Sequence, residues 1–219
     1  KMPRRGLTIS PDERTFFLTE RPTRADLTKL LAPNAFWEEM AEHPDYDEWW
    51  RARDTRRACY NIRPAMLVVG GTFDAEDCYG AWNLYKAVLR QSARTPLHLV
   101  VGPWAHGAWR GDGRTLGDFD FGEEASGAYY MEHFEAPFFD CYLWARDTVD
   151  RLPPVAAFSS GDNRWHTFGR WTPSEARKLT LYLADGGRIT TEKPTVKNSS
   201  TSYTSNPADP VPYIATSGT

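Results

Sequence analysis

Two apolar segments, each followed by side chains that can carry chemistry, constrain the fold of this chain most strongly. Residues 66–77 read Met-Leu-Val-Val-Gly-Gly-Thr-Phe-Asp-Ala-Glu-Asp, a strand that runs into a turn with three carboxylates. Residues 97–101 are a second apolar strand, followed by Gly-Pro-Trp-Ala-His-Gly. Aromatic residues at helical spacing between the strands predict a helix over residues 76–91. Because near-continuous Val and Leu are typical of strands buried on both faces, these segments predict a βαβ unit in a parallel sheet.

Asp74 and His106 follow the two predicted strands. Side chains beyond the carboxyl ends of neighbouring parallel strands lie where open α/β sheets bind ligands. An α/β-hydrolase presents its catalytic residues in the chain order nucleophile, acid, histidine, and its carboxylate orients the imidazole. We therefore predict that Asp74 is the acid and His106 the general base of a serine hydrolase. The alternative is that Asp74 only caps the following helix and that His106 is an ordinary turn residue.

Two more acids, Glu76 and Asp77, follow Asp74 closely. One acid suffices for the histidine, and an acid at a helix start contributes only about 0.3–1 kcal/mol through the helix dipole. Crowded carboxylates repel one another unless a cation shares the site, so we predict that Glu76 and Asp77 bind a substrate ammonium group. The alternative is a pair of solvated acids on the first helical turn.

The sequence contains no G-x-S-x-G motif, the turn that exposes the serine of an α/β-hydrolase. Ser126 and Ser160 lack the flanking glycines, and neither follows a predicted buried strand. A chain with acid and base but no nucleophile cannot form an acyl-enzyme, so we expect these residues to be inactive alone. The start at Lys1 without an initiator methionine favours a fragment whose missing N-terminal segment carries the serine.

The pattern along the chain predicts an α/β fold in three parts. In the first part, residues 1–59, residues 1–24 are an irregular approach segment, and from Asp26 the pattern becomes helical, interrupted by prolines. Residues 60–150 contain the βαβ unit and a helix at about 128–146 that Pro137 splits or kinks. Residues 151–219 change to short β segments and then to a stretch rich in Ser, Thr, Pro and Gly. This last part predicts the start of an incomplete β-sandwich.

Charge and composition exclude several classes of function. Basic and acidic residues nearly balance, 26 against 29, so no electrostatic footprint for nucleic acid is present. The apolar runs fall far short of the roughly 20 residues that a transmembrane helix needs, so no membrane contact is predicted. The three cysteines and five histidines show no metal-ligand spacing, and no metal or organic cofactor is expected.

The motifs resemble those of the hydrolases grouped with X-prolyl dipeptidyl peptidases and bacterial cocaine esterase, the CocE/NonD family. Gly-Gly-Thr-Phe-Asp at 70–74 resembles the acid-bearing turn of that family, and Gly-Pro-Trp-Ala-His-Gly at 102–107 resembles its histidine turn. Asn-Arg-Trp at 163–165 with Trp171, and residues 206–213, are similar to its jelly-roll domain. The resemblance implies that residues 1–59 end a helical cap, residues 60–150 are the C-terminal part of an α/β-hydrolase domain, and residues 151–219 begin a jelly roll.

Asp-Ala-Glu-Asp at 74–77 most resembles the α-amino acid ester hydrolases, in which two acids after the triad aspartate help to hold the substrate α-ammonium. The resemblance implies Asp74 as triad acid, His106 as base, and Glu76 with Asp77 as ammonium site, acting on esters or amides of α-amino acids, β-lactam side chains included. The family's serine, oxyanion-hole tyrosines and third cluster acid are missing.

Several alternatives stay open at the level of sequence. The protein could be an X-prolyl dipeptidyl peptidase, a glutaryl-type acylase or an esterase for neutral acyl groups, or a non-catalytic binding module. A homo-oligomer and a periplasmic or secreted location are both compatible with the resemblance, and neither follows from the residues.

Overall fold

The computed structural model describes residues 16–17, 20, 23–31, 33–145, 152–195 and 200–207. The chain divides into two compact units, residues 52–176 and residues 1–51 with 177–219. Most of the predicted approach segment at 1–24, and residues 208–213 of the second jelly-roll motif, lie outside the described residues.

The α-helices are α1 (Arg24–Leu31), α2 (Ala35–Glu42), α3 (Glu48–Arg53), α4 (Cys78–Gln91), α5 (Gly127–Tyr130) and α6 (Ala136–Trp144). The strands are β1 (Met66–Gly71), β2 (Leu97–Gly102), β3 (Thr115–Leu116), β4 (Phe119–Asp120), β5 (Val155–Ser159), β6 (Arg164–Phe168), β7 (Tyr182–Ala184) and β8 (Arg188–Thr190). Within the described residues, no helix combines the length and apolar character that crossing a bilayer requires.

The larger unit is built on a four-stranded sheet with the order β1-β2-β5-β6. The first three strands are parallel and β6 is antiparallel to β5. β1 and β2 pair along their full length, and Gly71 lies opposite Gly102 at their carboxyl ends. The predicted βαβ unit is therefore present, and the loops after β1 and β2 start side by side.

The sheet buries apolar side chains on both faces because successive residues of a strand point to opposite sides. Leu99 and Val101 of β2 belong to the core that packs against α4. Val100 points to the opposite face of the sheet and packs with Tyr130, the last residue of α5, and with Phe134 in the turn that follows α5. Each such buried aliphatic side chain contributes about 1.5–3 kcal/mol. This two-sided core fixes β2, the strand that precedes His106.

Glycines at the ends of β1 and β2 allow an unusually close approach of the two loops. A Cβ atom at Gly71 would overlap the carbonyl oxygen of Trp104, and one at Gly70 would lie 2.8 Å from Cβ of Ala81 in α4. Only a residue without a side chain fits at these two positions, so the Gly-Gly pair sets the spacing between β1, its following helix and the loop after β2.

Replacing Gly71 by alanine should lower the free energy of unfolding by at least about 1–3 kcal/mol, because the added methyl group meets backbone that cannot turn away. Urea denaturation monitored by circular dichroism measures the loss. Gly169→Ala is the matched control, since a Cβ there meets no atom within 4 Å. Equal stability of the two variants would contradict the close approach.

The structure differs from the sequence expectation after residue 151. β5 and β6 at residues 155–168 extend the main sheet instead of opening a separate sandwich. β5 pairs parallel to the buried strand β2, and its apolar residues fill the same cores as those of β2. The sequence of a short apolar strand does not indicate which sheet the strand joins. The boundary between the main sheet and the predicted sandwich could therefore not be located from the sequence.

The helix expected at 128–146 is present as α5 and α6 joined by a π-helical turn, Met131–Glu135. Pro137 lies in the first turn of α6, where its missing N–H costs little. The π-helical turn before α6 is wider than an α-helical turn, and it joins α5 to α6 without interrupting the helical path of the backbone.

In the smaller unit, Asn34 caps α2 by accepting a hydrogen bond from the Trp37 backbone N–H at 3.1 Å. β7 and β8 form an antiparallel hairpin. The assignments of residues 1–59 to a helical cap and of the residues beyond 168 to a jelly roll remain predictions.

Candidate active site

Asp74 lies in the turn that leads from β1 into α4. Its Oδ1 atom accepts hydrogen bonds from the backbone N–H groups of Glu76 and Asp77, both at 2.9 Å. The side chain is only 1% exposed. The capping alternative is thus partly correct, because Asp74 does order the turn before α4, but this role uses one oxygen and leaves the other for a second partner.

The environment of Asp74 favours its ionised form. Burial raises the pKa of the carboxyl group, but the hydrogen bonds from the backbone N–H groups of Asp77 and Glu76, together with the nearby His106, outweigh burial and lower the pKa below 3.8. Asp74 is therefore a carboxylate at neutral pH.

His106 lies in the turn after β2, just before Gly107, which has the left-handed backbone conformation (φ 69°). Its Nδ1 atom is 3.2 Å from Oδ2 and 3.4 Å from Oδ1 of Asp74. A carboxylate can only accept, so this contact places the imidazole proton on Nδ1. Nε2 is left with a lone pair, as a general base requires.

Two further carboxylates approach the same imidazole nitrogen. Oδ2 of Asp77 is 3.5 Å and Oε2 of Glu76 is 3.7 Å from Nδ1 of His106. These side chains are 68% and 76% exposed, so water screens their attraction to the histidine. The structure thus brings together the four residues singled out from the sequence, with one buried acid and two solvated acids around one imidazole.

The donor atoms of the cluster could also surround a cation. Ligand atoms of Asp74, Asp77 and His106 all lie within 4.8 Å of one another. Carboxylate oxygens suit a divalent metal as well as an ammonium group, so geometry alone does not separate them. The absence of a metal cofactor remains a prediction.

Backbone hydrogen bonds join the acid-bearing and histidine-bearing loops. The N–H of Thr72 donates to the carbonyl of Gly102 at 2.8 Å, and the N–H of Phe73 donates to the carbonyl of Trp104 at 3.1 Å. These bonds continue the pairing of β1 with β2 past the sheet edge. Trp104 belongs to the Gly-Pro-Trp-Ala-His-Gly motif at 102–107, but the sequence assigned no role to its side chain.

Among the residues that the structure describes, no serine, threonine or cysteine is hydrogen-bonded to His106. Ser126 is buried and caps α5, where its hydroxyl accepts from the Tyr129 N–H at 3.1 Å. The described part of the site therefore contains an acid and a base without a nucleophile.

Comparison with known proteins places this pair of loops in a family. The model of the X-Pro dipeptidyl-peptidase (S15) family matches residues 8–108, which include both Asp74 and His106. Residues 8–108 are an S15-family domain. The relation extends beyond the matched residues to sequences and structures that cover most of the chain.

Cocaine esterase from Rhodococcus sp. (strain MB1 Bresler) is 24% identical over 81% of this chain. The structure of an aminopeptidase from a marine sediment archaeon, Thaumarchaeota archaeon, matches 87% of the chain with a TM-score of 0.78 and 34% identity. That of an α-amino acid ester hydrolase matches 92% with a TM-score of 0.76 and 29% identity. The mixed α/β fold is thus shared with both enzymes. The chain spans about a third of the length of these relatives, 31%, 31% and 34%.

Proposed function

We propose that the S15 domain forms part of a serine hydrolase that cleaves, or transfers acyl groups from, esters and amides of α-amino acids. One observation carries the proposal. A buried, ionised Asp74 contacts Nδ1 of His106 at 3.2 Å, and Glu76 and Asp77 lie on the same side of the imidazole. The similarity to an S15 family model and to an α-amino acid ester hydrolase supports the reaction class.

In the proposed mechanism, a serine from polypeptide outside these 219 residues attacks the substrate carbonyl. Nε2 of His106 takes the hydroxyl proton as the serine oxygen bonds to carbon, and Asp74 stabilises the imidazolium that results. His106 then gives the proton to the leaving alcohol or amine as its bond to the acyl carbon breaks. Water or another acceptor, deprotonated by His106, then attacks the acyl carbon, and His106 returns this proton to the serine oxygen as its bond to the acyl carbon breaks.

Glu76 and Asp77 supply the proposed substrate preference. Both are solvated in the structure, so they can turn towards a ligand at little cost. An α-ammonium group between two carboxylates forms charge-assisted hydrogen bonds, which are about twice as strong as neutral ones. It would also relieve the repulsion among three acids around one histidine. The names of the similar structures, an aminopeptidase and an α-amino acid ester hydrolase, agree with an amine-bearing substrate.

The double substitution Glu76→Gln and Asp77→Asn tests this proposal. The measurement uses the complete enzyme, which is the 219-residue chain together with the polypeptide that carries the serine. In this enzyme we expect KM for phenylglycine methyl ester to rise about 10- to 100-fold, because a hydrogen bond to a charged group contributes about 1.5–3 kcal/mol. KM for phenylacetic acid methyl ester, which lacks the amine, should change little.

The control is Glu123→Gln with Glu124→Gln, an adjacent pair of exposed acids in the same unit. This pair should leave both KM values unchanged. A wild-type enzyme that hydrolyses the two esters at equal rates would contradict an ammonium site. It would instead favour an esterase for neutral acyl groups, in keeping with the similarity to cocaine esterase.

A further inference from the structure

Trp104 connects the histidine-bearing loop to a distant part of the larger unit. It precedes His106 by two residues and is 1% exposed. Its indole N–H donates to the carbonyl of Ala125 at 2.7 Å, in the 3-10 turn before α5. Its own carbonyl accepts from the Phe73 N–H, next to Asp74. One residue thus joins the histidine loop, the acid loop and this turn.

The indole has little freedom in this position. A Cβ atom at Gly102 would lie 2.5 Å from its ring, and one at Gly113 would lie 3.2 Å away. The rings of Trp109, Tyr130 and Trp165 surround it with centroid distances of 5.7, 5.5 and 5.8 Å. A side chain held by close packing and a hydrogen bond keeps its own backbone fixed.

The imidazole ring of His106, in contrast, has few contacts that fix its position. Its side chain is 59% exposed, and its contacts with Asp74, at 3.2 and 3.4 Å, are long for hydrogen bonds to a carboxylate. Packing around the imidazole therefore does little to place it, and the backbone of its loop must do so. The nearest rigid anchor in that loop is the buried Trp104.

We propose that Trp104 is a positioning residue that sets the contact between His106 and Asp74 through its hydrogen bond to the Ala125 carbonyl. Without that bond, the loop relaxes and Nδ1 of His106 leaves the carboxylate. The catalytic consequence rests on the proposed hydrolase function, whereas the geometric consequence does not.

Trp104→Phe tests the role, with Trp165→Phe as the matched control. Trp165 lies on β6, and its indole N–H donates to the neighbouring carbonyl of Glu124 at 2.8 Å. Each variant thus loses one indole-to-carbonyl hydrogen bond in the same aromatic cluster, but only Trp104 belongs to the histidine loop. In urea denaturation, Trp104→Phe should lose more stability than Trp165→Phe, because it leaves a buried carbonyl without its donor, whereas water can replace the exposed hydrogen bond of Trp165.

The structural readout is the tautomer of His106, measured by ¹⁵N NMR of ring-labelled histidine in the 219-residue chain at a pH where the ring is neutral. In the wild type and in Trp165→Phe, the proton should reside on Nδ1, as the contact with Asp74 requires. In Trp104→Phe, the Nε2–H form should gain population. His98 is an internal reference, because its Nδ1 contacts the Pro153 carbonyl at 3.0 Å.

The kinetic readout uses the complete enzyme. A small misplacement of a catalytic group can cost up to about 100-fold in rate, so we expect kcat of Trp104→Phe to fall about 10- to 100-fold while KM stays within about twofold. Trp165→Phe should retain its kcat.

An unchanged His106 tautomer in Trp104→Phe would overturn the proposal, whatever the rate. If no version of the enzyme turns over substrate, the hydrolase function fails, and the tautomer alone still decides the role of Trp104. Should the phenylalanine variant not fold, benzothienylalanine at position 104 keeps the ring shape and removes only the donor, and the same two outcomes apply.

Discussion

His106→Ala in the complete enzyme should lower kcat by about 10⁴- to 10⁶-fold, the largest effect that we expect of any single substitution. Without the imidazole, no group takes the proton of the attacking hydroxyl. The fold should persist, because the ring is 59% exposed and fills no core. Burst kinetics with a chromogenic ester measure the loss, and circular dichroism checks the fold.

His166→Ala is the matched control for this prediction. His166 also pairs with a carboxylate, Nε2 to Oδ2 of Asp162 at 2.9 Å, and it is similarly exposed. Its removal should leave kcat unchanged. If His106→Ala retained more than about a hundredth of the wild-type rate, the role of His106 as general base would be contradicted.

Asp74→Asn should lower kcat by about 10³- to 10⁴-fold, the second largest effect. The asparagine oxygen can still accept the N–H groups of Glu76 and Asp77, so the turn before α4 should keep its shape. Its amide group, however, donates towards Nδ1 of His106. The proton then moves to Nε2, and the imidazole can no longer act as a base.

Asp77→Asn separates the role of Asp74 from a general effect of negative charge. Asp77 is also close to Nδ1 of His106, at 3.5 Å, but it is 68% exposed. Because water screens an exposed pair, its charge should contribute little to the imidazolium, and kcat should fall no more than about threefold. Equal losses in the two single variants would contradict the assignment of Asp74 as the acid of the triad.

Asp74 should also make the stability of the domain depend on pH. Its pKa is lowered in the folded state, so its contribution to stability is fully present above 3.8, the ordinary value, and is lost as pH falls through the lower folded pKa. Asp74→Asn should flatten this part of the acid-unfolding curve relative to the wild type. Urea midpoints measured between pH 5 and pH 2 give the comparison.

The sequence by itself determined the βαβ unit and the closeness of the two functional loops. The apolar runs at 66–71 and 97–102 are separated by one helix, and such a short crossover places the two strands side by side and parallel. Residues that follow the two strands must then meet at one sheet edge. The Asp74–His106 pair was predictable for this reason alone, and the motifs in these loops also identified the family that the comparisons found.

Only the tertiary structure decided which acid is buried, which strands share the sheet and what anchors the histidine loop. Asp74, Glu76 and Asp77 all carry a carboxylate, and the sequence does not show which of them is buried. In the structure Asp74 is buried, and the other two are solvated. β5 joins β2 across more than fifty residues, and Trp104 reaches Ala125 across 21. Sequence periodicity records which side of an element is apolar, whereas such pairings depend on how distant elements pack together, and no local pattern encodes that.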